Sequence, residues 1–161
     1  MQTKLITGVN HFSITVADID RSVEFYRDVM EMDFEGIRYN VDLKYVRRIT
    51  GYPDGVLNIA FLNCPGLRLE LIQYVEPKGQ VLDVSPHNIC SSHICFGTTD
   101  ALAMYARLKA KGIATRNSPT LIDSGPSTGA YAFYLMDPDN YNVEVFQPAG
   151  VREEVATVCS N

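Results

Sequence analysis

The sequence predicts an α+β protein made of two tandem modules, each reading strand, helix and then three strands. The prediction rests on a length of 161 residues, about one domain by the usual prior. It rests also on an order of alternating strands and one amphipathic helix that occurs twice. Between the two copies lies "EPKGQVLDVSPHN", residues 76–88, which reads as a linker. Residues 1–161 then form one domain, with module one at 9–75, module two at 89–148 and a tail at 149–161. Hydrophobic residues at 46%, charged residues at 20%, 11 Gly and 8 Pro exclude a disordered, collagen-like or coiled-coil chain.

In module one, "VNHFSITV" alternates apolar and polar residues as a half-buried strand does. "DIDRSVEFYRDVM" follows with Ile19, Val23, Tyr26 and Met30 at helical spacing behind the candidate N-caps Asp18 and Asp20. "FEGIRYN", "VLNIAFLN" and "LRLELIQYV" are three short strands separated by turn clusters, and "DLKYVRRITG" reads as a helix inserted between the first two. Module two opens with the strand "SSHICFGT" and the helix "DALAMYARLKAKG", whose inner face is Ala101, Met104, Tyr105 and Leu108 and whose stop is Gly112. Strands are expected at "GIATRN", "AYAFYLM" and "YNVEVFQ". The loop "DSGPSTG" before the second of these reads either as a lid or as an ordinary connection.

With 14 Lys+Arg against 19 Asp+Glu, the net charge of −5 has the wrong sign for gripping phosphate backbones, so no nucleic-acid partner is expected. Apolar runs such as "IAFL" fall far short of the roughly 20 residues of a membrane helix, so no membrane association is expected. The start "MQTKLITGVN" lacks a signal-peptide stretch, which gives a cytoplasmic expectation. Cys64, Cys90, Cys95 and Cys159 are expected as free thiols.

The repeat carries a matched set of ligand-type side chains. His11 precedes Asp18, and His93 precedes Asp100, by the same seven residues, while Glu70 and Glu144 each sit mid-strand among apolar neighbours. Side chains alternate between the two faces of a strand, so His11 shares its face with Ser13 and Thr15, and His93 shares its face with Ser91 and Cys95. Glu70 lies opposite Leu69 and Leu71, and Glu144 opposite Val143 and Val145. The four therefore project from the side of the sheet away from the helices. Two neutral imidazoles and two carboxylates around one point would make an N2O2 site for a single divalent ion, whether Zn, Ni, Co, Mn or Fe.

These residues resemble the vicinal oxygen chelate superfamily, the glyoxalase, bleomycin-resistance and dioxygenase group. The resemblance spans 9–148 and rests on "VNHFSITVADIDRSVEFYRDVMEMDF", "RLELIQY", "SSHICF" and the closing hairpin "YLMDPDNYNVEVFQP", where "DNYN" stands in place of the commoner "DGN". It implies an open, curved eight-stranded mixed sheet with helices on its outer face, a metal in the hollow, His11, Glu70, His93 and Glu144 as ligands, and a homodimer. The His, Glu, His, Glu set is similar to glyoxalase I. Methylmalonyl-CoA epimerase is similar as well, with an amide where Glu70 stands.

Both imply proton transfer next to a carbonyl on a small-molecule substrate, through an enolate or enediolate that a divalent ion stabilises. The expected activity is a metal-dependent isomerase (racemase or epimerase) or a glyoxalase-type lyase, with Glu144 as principal base and Glu70 returning the proton. Arg48, Tyr74, Tyr131 and Phe133 are the candidate substrate-binding residues. Arg38, Lys44, Arg47 and Arg48 read either as a cradle for an anionic substrate group or as a solvated helix face. The competing readings are a ring-cleaving dioxygenase and a metal-free protein that sequesters an aromatic ligand, with Phe146 added to the lining residues.

Overall fold

The computed structural model describes residues 4–151 and divides into two compact units, one ending at Leu82 and the other starting at Asp83. In the first unit the chain forms β1 (Phe12–Thr15), α1 (Ile19–Glu24), β2 (Asp33–Val41), α2 (Lys44–Thr50), β3 (Val56–Cys64) and β4 (Leu67–Glu76). The second contains β5 (His93–Gly97), α3 (Ala101–Ala110), β6 (Thr120–Leu121), β7 (Tyr131–Met136) and β8 (Asn142–Gln147). Each unit builds one open four-stranded sheet, in the orders β1-β4-β3-β2 and β5-β8-β7-β6. The first strand of each module pairs parallel with the last, and the other pairings are antiparallel. This is an α+β fold of tandem βαβββ modules.

The first helix of each module starts as its sequence specifies. The Asp18 carboxylate accepts from the Arg21 N–H at 3.1 Å, and the Asp100 carboxylate from the Ala103 N–H at 2.9 Å, each satisfying a donor the first turn leaves open. Beyond Glu24, α1 widens into a turn over Phe25–Val29 that carries the Met30 N–H to the Phe25 carbonyl at 3.1 Å. Ile19, Val23, Tyr26 and Met30 remain 7% exposed or less, so the apolar stripe survives the widening. It lies over β3 and β4, whose Ala60, Leu62, Leu69 and Leu71 are fully buried. Each such leucine contributes roughly 1.5–3 kcal/mol relative to exposure. In the second unit Ala101 and Leu108 are buried on α3, and Phe133, Leu135, Val143 and Val145 lie beneath at 1% exposure or less.

The inserted helix α2 forms as expected and stops at Gly51, where φ is +76° and the N–H returns to the Arg47 carbonyl at 2.9 Å. Its Val46 packs with Val41 and Leu57, flanked by Ile59, Ile72 and Tyr74.

"GIATRN" does not form the expected strand. Only Thr115 bridges to Leu135, and the pairing with β7 is taken up later by Thr120–Leu121. The Tyr134 N–H donates to the Asn117 side-chain oxygen at 3.0 Å instead of to a backbone carbonyl, and Pro119 has no N–H to offer, so the ladder breaks between them. The hairpin "DPDN" closes on the buried Asp137 carboxylate, which accepts from the Asp139 and Tyr141 N–H groups at 2.8 and 2.7 Å. Asn140 takes the left-handed conformation, φ +65°, that a glycine would take there, and Asn is among the residues that tolerate it. No described helix is long and apolar enough to cross a membrane. Most of the tail, 152–161, including Cys159, lies outside the described residues.

Candidate metal centre

Two His–Glu pairs occupy repeat-related places. In the first unit Ser13 faces Glu70 across the parallel β1–β4 ladder, which brings the preceding His11 to the carboxylate with Nε2 at 3.3 Å from Glu70 Oε2. In the second, Cys95 faces Glu144, and the His93 Nε2 stands 3.0 Å from Glu144 Oε2. The register is the same in both modules, which is why equal spacing in sequence becomes equal geometry. The carboxylates are only 15% and 16% exposed, whereas the imidazoles are 39% and 45% exposed. Carboxylates withdrawn this far from water are costly without a partner, and each has an imidazole at hand.

A third residue of each pair is aromatic. Phe61 sits opposite Glu70 and Tyr134 opposite Glu144, and each ring meets its module's imidazole edge to face, with centroids 6.4 and 5.4 Å apart. The modules differ by one hydroxyl: Tyr134 donates to Glu144 Oε2 at 3.2 Å, and Phe61 has nothing to donate. Cys95 also approaches Glu144. Burial first, then the adjacent carboxylate, pushes its thiol up to about 11, and the same two causes raise the Tyr134 phenol.

The donor set fits a divalent ion. Two ligands about 2.1 Å from a shared ion at angles of 90–109° stand about 3.0–3.4 Å apart, which is the range of both His–Glu separations. The His11 Nδ1 is hydrogen-bonded with Asn10 Oδ1 at 2.9 Å, an arrangement that puts a proton on Nδ1 and leaves Nε2 as the ring nitrogen an ion would take. Within either unit, among the described residues, no group of three or more His, Cys, Asp or Glu is placed to hold an ion. Each unit by itself therefore offers two donors.

Of the residues expected to meet substrate, Tyr74 lies on the Glu70 face of β4, packed edge to face with Tyr52 at 5.5 Å and joined to the cluster around Val46. Arg48 lines a surface pocket with Lys44, Arg47, Gly51 and Pro53, and it is not among the residues lining the cavity of about 590 Å³ beside His11 and Glu70. Phe133 corrects the expectation outright. It is 0% exposed, with the Tyr105 ring of α3 edge-on at 5.7 Å. Phe133 pairs with Val145, and Tyr131 with Gln147, so both share the parity opposite to Glu144. Phe146 has the parity of Glu144.

Glu35, a carboxylate near the first pair, is committed elsewhere. Arg68 grips it with two hydrogen bonds at 2.9 and 2.6 Å, Asn63 adds one at 3.0 Å, and the Arg68 guanidinium rests 4.1 Å above the Phe61 ring. Arg68 first, then Asn63, hold this carboxyl down to about 2. Because the folded value is depressed, the pairing is present above the ordinary 4.5 and is lost as pH falls through about 2. Side-chain NMR should show Glu35 titrating near 2, returning toward 4.5 in Arg68→Ala; an unchanged value in the variant would refute the pairing.

Sequence reading missed a pair of glutamines, each three residues after a candidate ligand. Gln73 accepts from the Ile19 N–H at 3.3 Å, and Gln147 accepts from the Ala101 N–H at 2.9 Å, so each ties the first turn of its helix to the strand bearing the glutamate. The signal was present as "ELIQ" and "EVFQ" in the same frame of the repeat.

Comparison with known proteins identifies the family. A family model described as the Glyoxalase/Bleomycin resistance protein/Dioxygenase superfamily matches residues 8–145. A probable lactoylglutathione lyase of Vibrio cholerae is 28% identical over 137 residues, covering 85% of this chain and 88% of that protein. A 2-epi-5-epi-valiolone epimerase of Actinomyces sp. is 28% identical over 157 residues, covering 93% of this chain and 85% of that protein. The solved structure of a glyoxalase family protein from Bacillus cereus superposes with a TM-score of 0.79 at 19% identity, covering 93% of this chain and 99% of that one. With the duplicated βαβββ topology, the repeat-related His–Glu pairs and a family match over most of its length, this chain belongs to the glyoxalase/bleomycin resistance protein/dioxygenase superfamily.

Proposed function

We propose that the protein is a divalent-metal-dependent isomerase or lyase that moves a proton next to a carbonyl, as an epimerase, a racemase or a glyoxalase I-like enzyme. The observation that carries this reading is the pair of repeat-related His–Glu contacts at 3.3 and 3.0 Å with largely buried carboxylates. His11, Glu70, His93 and Glu144 would together hold one ion as an N2O2 set. When bound, the ion supplies a Lewis acid for the carbonyl oxygen and for the charge that develops there.

The chain's own groups supply the proton chemistry. Glu144 is the principal base, taking the α-proton on one carboxylate oxygen while the Tyr134 hydroxyl steadies the other. Glu70 has Phe61 where Glu144 has Tyr134, so its cross-strand neighbour gives it no hydrogen bond. It returns the proton, to the opposite face of the same carbon in an epimerase or to the neighbouring carbon in a glyoxalase. Two relatives named as lactoylglutathione lyase and epimerase are in keeping with both outcomes.

Elemental analysis tests the reading, with Glu70→Ala and His93→Ala beside the parent protein. About one ion per chain, lost in both variants, is the expected result, followed by α-proton exchange on carbonyl compounds in deuterated water. No ion after reconstitution would overturn the mechanism.

A further inference from the structure

The cavity of about 590 Å³ in the first unit has two chemically distinct ends. His11 and Glu70 line one end, and Arg38 lines the other. The rest of the lining is mostly apolar, with Ile37, Ile59, Phe61 and Ile72 from the sheet and Val46 and Ile49 from the inserted helix α2, beside Tyr45, Thr50 and the Arg68–Glu35 ion pair. At about 30 Å³ per water, the space equals about twenty waters, far more than a three-carbon carbonyl compound displaces. Such a ligand would leave the α2 wall wet, forfeiting the main source of affinity in an apolar pocket.

Of the two cations lining this cavity, Arg38 and Arg68, only Arg38 is without a carboxylate partner among the described residues. Arg68 is neutralised by Glu35, and Arg47 pairs with Asp42 and also donates to the Gly55 carbonyl. Among the described residues Arg38 has no carboxylate partner, and its register partner is Ile59, itself opposite Ile72, two residues along β4 from Glu70. Two strand spacings of about 4.8 Å and two residues of about 3.4 Å put the Arg38 and Glu70 backbones about 12 Å apart. On the same face between them the register places Ile59 and Ile72, an apolar strip that also lines the cavity.

We propose that this cavity takes a carbonyl compound whose anionic group is separated from the carbonyl by an apolar spacer, the carbonyl at His11 and Glu70, the spacer under α2 and the anion on Arg38. The proposal rests on the functional reading above only for which end holds the carbonyl. A guanidinium without a protein partner suits a carboxylate or a phosphate equally, since both accept its paired N–H groups.

Calorimetric titration with isomeric keto acids tests the proposal, because binding needs no turnover. 7-Oxooctanoate and 4-oxooctanoate have the same atoms, with the carboxylate five methylenes from the ketone in the first and two in the second, so neither offers adjacent oxygens that would chelate the ion. The metal-loaded protein should bind 7-oxooctanoate about tenfold or more tightly than 4-oxooctanoate, the usual scale of a charge-assisted hydrogen bond. Arg38→Gln should remove that preference while leaving octan-2-one, which has no anion, unaffected. Ile49→Asp, at a position 79% exposed and so tolerant of the change, should weaken both 7-oxooctanoate and octan-2-one. A 7-oxooctanoate analogue with a terminal phosphate, run in parallel, distinguishes the two anions, and tighter binding of either supports the site. Equal binding of the two keto acids, or no effect of Arg38→Gln, would overturn the proposal. Selective binding of 7-oxooctanoate without bound metal or proton exchange would uphold this site and sink the proton-transfer reading, so the two failures are separable.

Discussion

Glu144→Gln is expected to lower α-proton exchange by about 10²–10⁴-fold, the usual contribution of a positioned general base. The amide matches the carboxylate in size, and its oxygen can still accept from the Tyr134 hydroxyl, so β8 keeps its packing. What the variant loses is the lone pair that accepts the proton. Exchange of a carbonyl compound in deuterated water, followed by NMR with the metal content measured on the same samples, separates loss of base from loss of ion. Turnover retained in a metal-loaded Glu144→Gln protein would refute the role assigned to Glu144.

The second large effect is on stability. Phe133→Ala is expected to destabilise the protein by about 3–5 kcal/mol, the cost of emptying a fully buried aromatic site. Tyr105 would lose its edge-to-face partner, and Leu135 and Val145 would border the void. In a chain of this length each kcal/mol shifts the melting temperature by about 2–4 °C, so thermal unfolding should move down by about 6–20 °C. Ligand affinity below the transition should stay unchanged, because Phe133 faces α3 and Glu144 faces the other way. A small shift in melting temperature with a large loss of ligand affinity would return Phe133 to the binding role first expected of it.

Phe133 also shows where sequence reading stops. Alternation within one strand assigns His93 and Ile94 to opposite faces, because pleat parity is a property of a single strand. Whether Phe133 shares a face with Glu144 depends on the β7–β8 register, which pairs it with Val145. "AYAFYLM" contains aromatics at positions of both parities, and only the pairing shows that Tyr134 is the one beside His93. The missing strand at "GIATRN" has the same origin. Its composition suits a strand, but the Asn117 side chain intercepts the Tyr134 N–H that the ladder would have used.

The helix starts at Asp18 and Asp100, the stop at Gly51 and the four ligand-type residues were legible because each depends on neighbours within a few positions or on a repeat of fixed spacing. The sequence by itself thus determined the duplicated βαβββ order and the strand faces on which Glu70, His93 and Glu144 stand, with His11 just ahead of β1. Only the tertiary structure decided that Tyr134 donates to Glu144 while Phe61 stands in the matching place beside Glu70, that Glu35 is spent on Arg68, and that α2 helps to line a cavity shared by His11, Glu70 and Arg38. Those facts depend on which strands pair, in what register, and on where a short helix lies over them. Pairing of that kind joins residues 10 to 60 positions apart, a distance over which local propensity and periodicity carry no information.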